Sequence, residues 1–514
     1  MADNAPLVND KREIFGWKMY DWANSAFSTT VVTVFLGPYL TAISKAATTA
    51  TGGLLYLGNV PIRFDSFFTY AVSASVLLQV TFLPVLGALA DYSHLRKQLL
   101  MFFAVLGSAA TIAMLFIGPD GYWLGAGLFI LANVAFGASI VFYNSYLPSI
   151  ASEDQRDHVS ASGFAMGYLG GGLLLVLNLV LFLFGDKLGL TSALVARISL
   201  ASAGFWWLGF SFITFGSLRA RHAVRPLPAG ESYLTIGFRQ LANLLNAPIA
   251  LVTVLMLLPL AVPILILLQV PILLALPLAL GPVVVLVLFI YRKSRELPEA
   301  MKFLTAYLLY NDGIQTVIVI AAIFATQELG MSSTMLILVI LMIQFVAFVG
   351  AYSFSYLARA VGARNAILVS LAVWAVVVIF AFGGMKNTAP FLGMEERQFE
   401  FWIMGFVVAL VLGGSQALSR SLFAQMIPKD QEAEYFSFYE ISERGTSWMG
   451  TAVFGLVNQL FGGLRIGILS LIVFFVVGLA LLPLVNVAQA IREGRQAGQG
   501  VEPLRPTGPA AAAD

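Results

Sequence analysis

Long apolar runs separated by short polar loops fill most of this chain. A membrane crossing needs about 20 mostly apolar residues. On that measure the pattern predicts about fourteen spans. They lie at 14–43, 66–90, 98–117, 121–146, 160–184, 191–217, 249–267, 271–291, 300–325, 331–357, 364–383, 401–426, 440–461 and 466–489. The runs are continuous and show no period-2 alternation, which excludes a β-barrel. Lipid cannot satisfy exposed backbone groups, so each run is expected to be a helix. The predicted fold class is all-α and polytopic. The first run opens with MYDWANSAF (19–27), which places Asp21 about two turns inside a membrane helix.

Composition agrees. Hydrophobic residues make up 59% of the 514 and charged residues 11%, with a mean hydropathy of +0.86. A soluble domain carries about 25% charged residues. A net charge of +2 gives no reason to expect nucleic acid as a partner. The absence of cysteine excludes disulfides, thiolate metal sites and cysteine catalysis. The three histidines (His94, His158, His222) have no metal-ligand spacing, so no metal and no cofactor are expected. Residues 1–13 are polar, and the following run is too long for a signal h-region and lacks a small-residue cleavage site, so no cleavable signal is expected.

Lysine and arginine orient the spans. With the N-terminus in the cytoplasm, the cytoplasmic segments collect Arg96, Lys97, Arg156, Arg219, Arg221, Arg225, Arg292, Lys293, Arg295, Arg359, Arg364, Lys429, Arg492 and Arg495. Arg197, Arg420 and Arg444 fall inside spans. Both termini are therefore expected in the cytoplasm.

The chain also repeats itself. Asp21-x-x-Asn24-Ser25 matches Asp312-x-x-Gln315-Thr316. Leu89-Ala90-Asp91 leading to Arg96 matches Leu357-Ala358-Arg359 leading to Arg364. Gly137-Ala138-Ser139 running to Asp154 matches Gly413-Gly414-Ser415 running to Asp430. Three matches in one order predict two six-helix halves, a transporter architecture with its site at the midplane between them. The expected organisation is a cytoplasmic N-terminus (1–13), an N-terminal half (14–218), a linker (219–298) with an inserted hydrophobic hairpin (249–291), a C-terminal half (299–490) and a disordered tail (491–514). The proline-rich hairpin is expected to be peripheral, as two spans or as a re-entrant loop.

GALAD (87–91) followed by Arg96-Lys97 resembles the loop signature of the major facilitator superfamily, although His94 replaces its second glycine and the basic pair sits one residue late. WKMYDWANSAFSTTV (17–31), VFYNSYLPSIA (141–151), SGFAMGYLGGGLLL (162–175), YLLYNDGIQT (307–316) and GGSQALSRSLFAQMIPKDQEAEYFSFYEISERGTSWMG (413–450) are similar to the vacuole effluxer family of the autophagy-related type, a branch of that superfamily with many prokaryotic members. The resemblance leaves the 248–291 hairpin outside the family's pattern. It implies a transporter of amino acids or a related small metabolite, and a place in a prokaryotic plasma (inner) membrane.

Candidate site residues follow from cost. An aspartate at mid-helix costs about 3 kcal/mol on insertion scales, so Asp21 is expected to face a cavity rather than lipid. Asp21, Asn24, Ser25 and Ser28 share one helix face, and Asp312, Gln315 and Thr316 repeat it. The competing reading pairs Asp21 with Lys18 or a backbone amide. Arg420, adjacent to Gln416 and repeat-related to Asn144, is a fixed cation suited to a carboxylate. It can bind an amino-acid substrate, pair with Asp21 or Asp312, or form an inner-gate bridge near Asp430. The substrate or proton pathway is thus assigned to Asp21, Asn24, Ser25, Asn144, Asp312, Gln315, Gln416 and Arg420. Gating is assigned to Gly87, Asp91, Arg96, Arg359, Arg364 and an i,i+4 pair of Glu440 with Arg444. Tyr143, Trp22 and Trp448 are weaker pocket candidates, and Glu443 can face either way. GYLGGG (167–172) follows no strand and reads as a close-packing stripe rather than a phosphate loop.

A chain of this composition fits four classes: transporter, membrane enzyme, channel or transporter-like sensor. A membrane enzyme needs a catalytic cluster at one face and a channel needs a symmetric pore ring; neither pattern is present. The expected function is a monomeric secondary transporter working by alternating access on a small solute in the lipid bilayer. Proton coupling would run through Asp21 or Asp312. The alternatives are a transporter-like sensor, or a facilitated-diffusion exporter of another substrate class such as a sugar, a peptide or a drug.

Overall fold

The computed structural model describes residues 8–57, 60–64, 67–91, 95–220, 233–244, 247–267, 281–429, 431–444, 449–450, 453–454, 457, 460–461 and 463–498. Among them, eleven helices are long and apolar enough to cross a membrane. They are the expected spans of both halves except 440–461, of which the first part is helical (Glu432–Arg444) and much of the rest lies outside the described residues. The tail beyond 498 and the hairpin tip at 268–280 also lie outside them.

The first span is built from α1 (Lys11–Ala26), a wider π-helical stretch (Phe27–Phe35) and α2 (Leu36–Ala47). Pro38 gives a local reason for the change of winding, because it has no N–H to offer the preceding turn. The outer loop that follows carries a small antiparallel hairpin, β1 (Leu54–Leu57) with β2 (Val60–Arg63), which the sequence pattern does not announce. The rest of the N-terminal half is α3 (Phe67–Asp91), α4 (Arg96–Ala113), α5 (Tyr122–Ile150), α6 (Glu153–Phe184) and α7 (Ser192–Ser217). The connection carries α8 (Tyr233–Leu244), α9 (Ile249–Leu267) and α10 (Gly281–Lys293). The C-terminal half has α11 (Pro298–Gln327), α12 (Ser333–Val361), α13 (Ala363–Gly383), α14 (Glu396–Met426), α15 (Glu432–Arg444), α16 (Leu464–Ser470) and α17 (Ile472–Leu481). Helix α18 (Val487–Gly498) ends the described chain.

The glycine stripe of α6 acts as the sequence predicts. A Cβ on Gly170 would lie 2.4 Å from the carbonyl oxygen of Trp22, and one on Gly167 would lie 2.5 Å from Ser25 Oγ. Only glycine lets α6 approach α1 this closely. That approach holds the Asp21 face of α1 at a fixed depth beside the second half.

The halves meet along two seams, α6 against α12 and α14, and α3 and α5 against α15. One end of these seams is closed. It is the end at which the Arg- and Lys-rich loops lie, and we call it the basic face. There Asp91 pairs with Arg96 at 2.8 Å and accepts the backbone N–H groups of Ala433 (3.2 Å) and Glu434 (2.8 Å). A carboxylate of the first half thus caps the N-terminus of a helix in the second, where orphan amides and the helix dipole favour an anion. Arg96 also reaches Glu432 at 3.4 Å. Gly87 permits the contact, since a Cβ there would lie 2.5 Å from the Ala433 carbonyl oxygen.

The seam of α6 against α14 is held differently. Ser421 donates to Asp157 at 2.6 Å, and Arg156 donates to the Ala424 carbonyl at 3.4 Å. Arg495 of α18 pairs with Glu153. Arg359 and Arg364 make no such clasp among the described residues. Arg359 lies over the Tyr356 ring, and Arg364 donates to the Pro483 and Val485 carbonyls of its own half. The repeat-related loops therefore do different work, because Arg359 stands where Asp91 stands in the first half.

The connection does not sit apart from these seams. Gln240 of α8 donates to Glu434 at 3.4 Å, and Phe289 of α10 stacks on Phe438 with centroids 3.6 Å apart. A Cβ on Gly237 would lie 2.5 Å from the Val85 carbonyl oxygen of α3. The inserted segment covers the α3–α15 seam.

Closure of the basic face is testable because the native chain contains no cysteine. Ser421→Cys, buried between α6 and α14, should resist a membrane-impermeant maleimide added on that side. Adding Gly87→Val, which puts branched atoms into the Ala433 contact, should raise the labelling rate severalfold. An unchanged rate would show that this contact does not hold the face shut.

Candidate functional site

At mid-depth the two halves enclose a cavity of about 310 Å³. Asp21, Asn24, Ser25 and Ser28 line it from α1 and the π stretch. Asn144 joins from α5, Phe164 and Tyr168 from α6, and Gln315 from α11. Gln416 and Arg420 come from α14, and Tyr439, Glu440 and Glu443 from α15. The helix face read at Asp21, Asn24, Ser25 and Ser28 thus forms one wall.

Arg420 is 2% exposed and crosses the boundary between the halves. Its Nε donates to Ser160 Oγ and its Nη2 to the Ser160 carbonyl, both at 2.9 Å. Its Nη1 donates to Asn144 Oδ1 at 3.2 Å. Both terminal nitrogens reach Asp21 Oδ2 at 3.4 Å. These five bonds use the five N–H donors that a guanidinium owns. The rings of Phe164 and Trp17 lie 4.1 Å and 4.8 Å from its central carbon. Asp21 Oδ2 also accepts the Tyr143 hydroxyl at 2.6 Å. Trp17 holds Tyr143 in turn, stacking on its ring at 4.4 Å and donating its indole N–H to the Tyr143 carbonyl at 2.9 Å.

The alternatives left open by the sequence resolve as follows. Arg420 partners Asp21, and not Asp312. Asn144 and Arg420, which occupy repeat-related positions, touch each other where the halves meet. Asn144 Nδ2 donates to Glu440 Oε1 at 2.7 Å, so Glu440 is engaged across the seam. The expected Glu440–Arg444 pair cannot be followed, because the Arg444 side chain lies outside the described residues, as do Asp430, Trp448 and His94. Gln416 accepts from the Tyr168 hydroxyl at 2.9 Å.

The C-terminal copy of the motif is rotated out of register with the first. Gln315 lines the cavity, but Asp312 and Thr316 turn toward Gly450. Asp312 is fully buried, with Gly450 against its carboxyl group. Trp22 stacks on Trp206 at 5.7 Å, away from the cavity. Ser160, Phe164, Tyr168, Asp157, Glu432 and Glu434 were not singled out from the sequence. They lie on ordinary amphipathic helix turns, and only the meeting of the halves distinguishes them.

Removing one member of the Asp21–Arg420 pair strands a buried charge, which costs about 3–5 kcal/mol. Arg420→Met should therefore lower the melting temperature of the purified protein in detergent sharply. The double variant Asp21→Asn/Arg420→Met should recover part of the loss. Additive losses would show that the two groups are not coupled.

The comparisons with known proteins agree with this architecture. The family model described as "Vacuole effluxer Atg22 like" matches residues 9–261 and 278–495. The match runs through both arms of the inserted segment, against the expectation that the family pattern leaves 248–291 out; only 262–277 is unmatched within it. An uncharacterized MFS-type transporter, YxiO, of Bacillus subtilis is 26% identical, over 91% of this chain and 94% of its own. Autophagy-related protein 22 of Coccidioides immitis is 24% identical, over 97% of this chain and 90% of its own. Among solved structures, the human organic anion transporter MFSD10 superposes with a TM-score of 0.58 at 12% identity, covering 92% of this chain and 99% of that one. The E. coli fucose:proton symporter FucP superposes with a TM-score of 0.55 at 10% identity, covering 93% and 98%. These last two likenesses carry the fold alone. The chain is an integral multi-pass membrane transporter of the major facilitator type and belongs to the vacuole effluxer Atg22-like family.

Proposed function

We propose that the protein moves amino acids or related small metabolites by alternating access, in exchange for or together with protons. It would act in a prokaryotic plasma membrane with its basic face toward the cytoplasm. The observation that carries this reading is the mid-depth cavity, lined by polar groups of both halves and lying behind a closed basic face. Rocking of the halves would break the clasp at Asp91, Arg96 and Glu432 and expose the cavity on the other side. The printed description of the family, a vacuole effluxer, favours export of a small solute.

Two carboxyl groups are candidates for the proton. Asp21 sits in the cavity against Arg420, so protonating it would loosen a bond between the halves. Asp312 is buried outside the cavity lining, against Gly450. Either arrangement can take up and release a proton as access alternates.

Purified protein in liposomes loaded with a mixture of labelled amino acids provides the test. A subset should be released, faster under a pH gradient. In Asp21→Asn the gradient-driven rate should fall by about tenfold or more, equivalent to about 1.4 kcal/mol of lost coupling. If Asp21→Asn and Asp312→Asn both leave transport and its pH dependence intact, proton coupling through these groups is wrong. If no amino acid is released, the substrate reading falls while the transporter fold stands.

A further inference from the structure

Among the described residues, the charged groups of the cavity do not balance. Three carboxyl groups (Asp21, Glu440, Glu443) line it against one guanidinium, and no lysine is among the lining residues. The guanidinium is spent. All five of its donors are committed to Asp21, Asn144 and Ser160, and aromatic rings lie against it. Arg420 therefore has nothing to offer a substrate carboxylate unless it first abandons Asp21. This removes the role that an arginine in a transporter cavity first suggests.

The carboxyl groups are not equally engaged. Asp21 is held by Arg420 and Tyr143, and Glu440 is held by Asn144. Glu443 accepts one bond, from the Tyr307 hydroxyl to Oε2 at 3.2 Å, and its other oxygen receives none from a described residue. No described cation forms a salt bridge with it. Tyr439 lines the cavity one helical turn away and is itself fixed by stacking on Tyr307 at 4.2 Å. A carboxylate with an uncommitted oxygen at a cavity wall is the arrangement that receives an ammonium, through a charge-assisted hydrogen bond. On the opposite wall, Asn24 is 3% exposed and its Nδ2 has no hydrogen-bond partner. A buried donor without an acceptor is costly until a ligand supplies one.

From these three features we infer that the cavity recognises its substrate through an ammonium group placed on Glu443, with Asn24 donating to an acceptor at the substrate's other end. The ligand class is a primary amine, either an organic cation or a zwitterion, and not an anion. This inference rests on the reading of the cavity as the transport site, but it is separable from the amino-acid assignment. Amines that lack a carboxylate should bind, and carboxylates that lack an amine should not.

The test uses the full chain in detergent and reads its melting temperature at fixed pH and ionic strength. The probes are norleucine, pentylamine, cadaverine and hexanoate, together with the common amino acids. A ligand that binds the folded state raises the melting temperature with concentration. The amine-bearing probes should do so and hexanoate should not. Glu443→Gln keeps the shape of the side chain and the Tyr307 contact, and it should abolish the shifts produced by amines. Glu443→Asp should restore part of them, which a purely structural role for Glu443 would not. Equal stabilisation by hexanoate, or no stabilisation by any amine, overturns the inference. Amino-acid transport that hexanoate inhibits as well as pentylamine does would leave the proposed function standing and remove this inference. Amine binding without amino-acid transport would do the reverse.

Discussion

The buried contact between Arg420 and Asp21 organises the centre of the molecule. A guanidinium at mid-depth in a membrane protein must be neutralised and fully hydrogen-bonded, because neither lipid nor a dry interior will do either. Here the partners of Arg420 on α14 come from three helices: Asp21 from α1, Asn144 from α5 and Ser160 from α6. Satisfying one cation therefore fixes three helices of the first half against one of the second. The rings of Trp17, Tyr143 and Phe164 pack against the guanidinium.

Around that centre the two halves are held by contacts of another kind. At the basic face, Asp91 caps a helix of the opposite half, Gly87 admits the Ala433 carbonyl, and Ser421 reaches Asp157. These bonds are short, local and easily remade with water. They suit an element that must break and reform, whereas the Arg420 cluster is buried and expensive to leave unpaired. A transporter needs both: a rim that can open and an axis that resists slipping. The inserted segment bears on the rim, since Gln240 and Phe289 contact α15 beside the capped end.

The two halves began from one pattern and have diverged where chemistry matters. Asp21 and Asp312 occupy matching sequence positions, yet one meets a cation in the cavity and the other is buried against Gly450. Asn144 and Arg420 match as well, and they meet as donor and acceptor. The loop signature survives as a clasp only in the first half. An exact twofold arrangement would bring like charges together on the axis. Arg359 stands where Asp91 stands and Arg420 where Asn144 stands, which breaks that symmetry.

Much of this was legible in the residues alone. Apolar run length gives the spans, because the bilayer sets a minimum helix length. Arginine and lysine placement gives their alternation. The cost of a carboxylate in lipid already requires the Asp21 face to look inward, and the glycine stripe of α6 already requires a close neighbour. What the sequence could not decide is which groups meet. The choice of Asp21 over Asp312 for Arg420 depends on the rotation of α11 relative to α1. The capping of α15 by Asp91 joins residues more than three hundred positions apart. Which carboxylate of α15 Asn144 reaches depends on how α5 meets α15. Each is a pairing between distant helices, and periodicity along one helix carries no information about the rotation of another. Length, hydropathy and local cost settled the elements and the faces they present; only tertiary packing settled the partners.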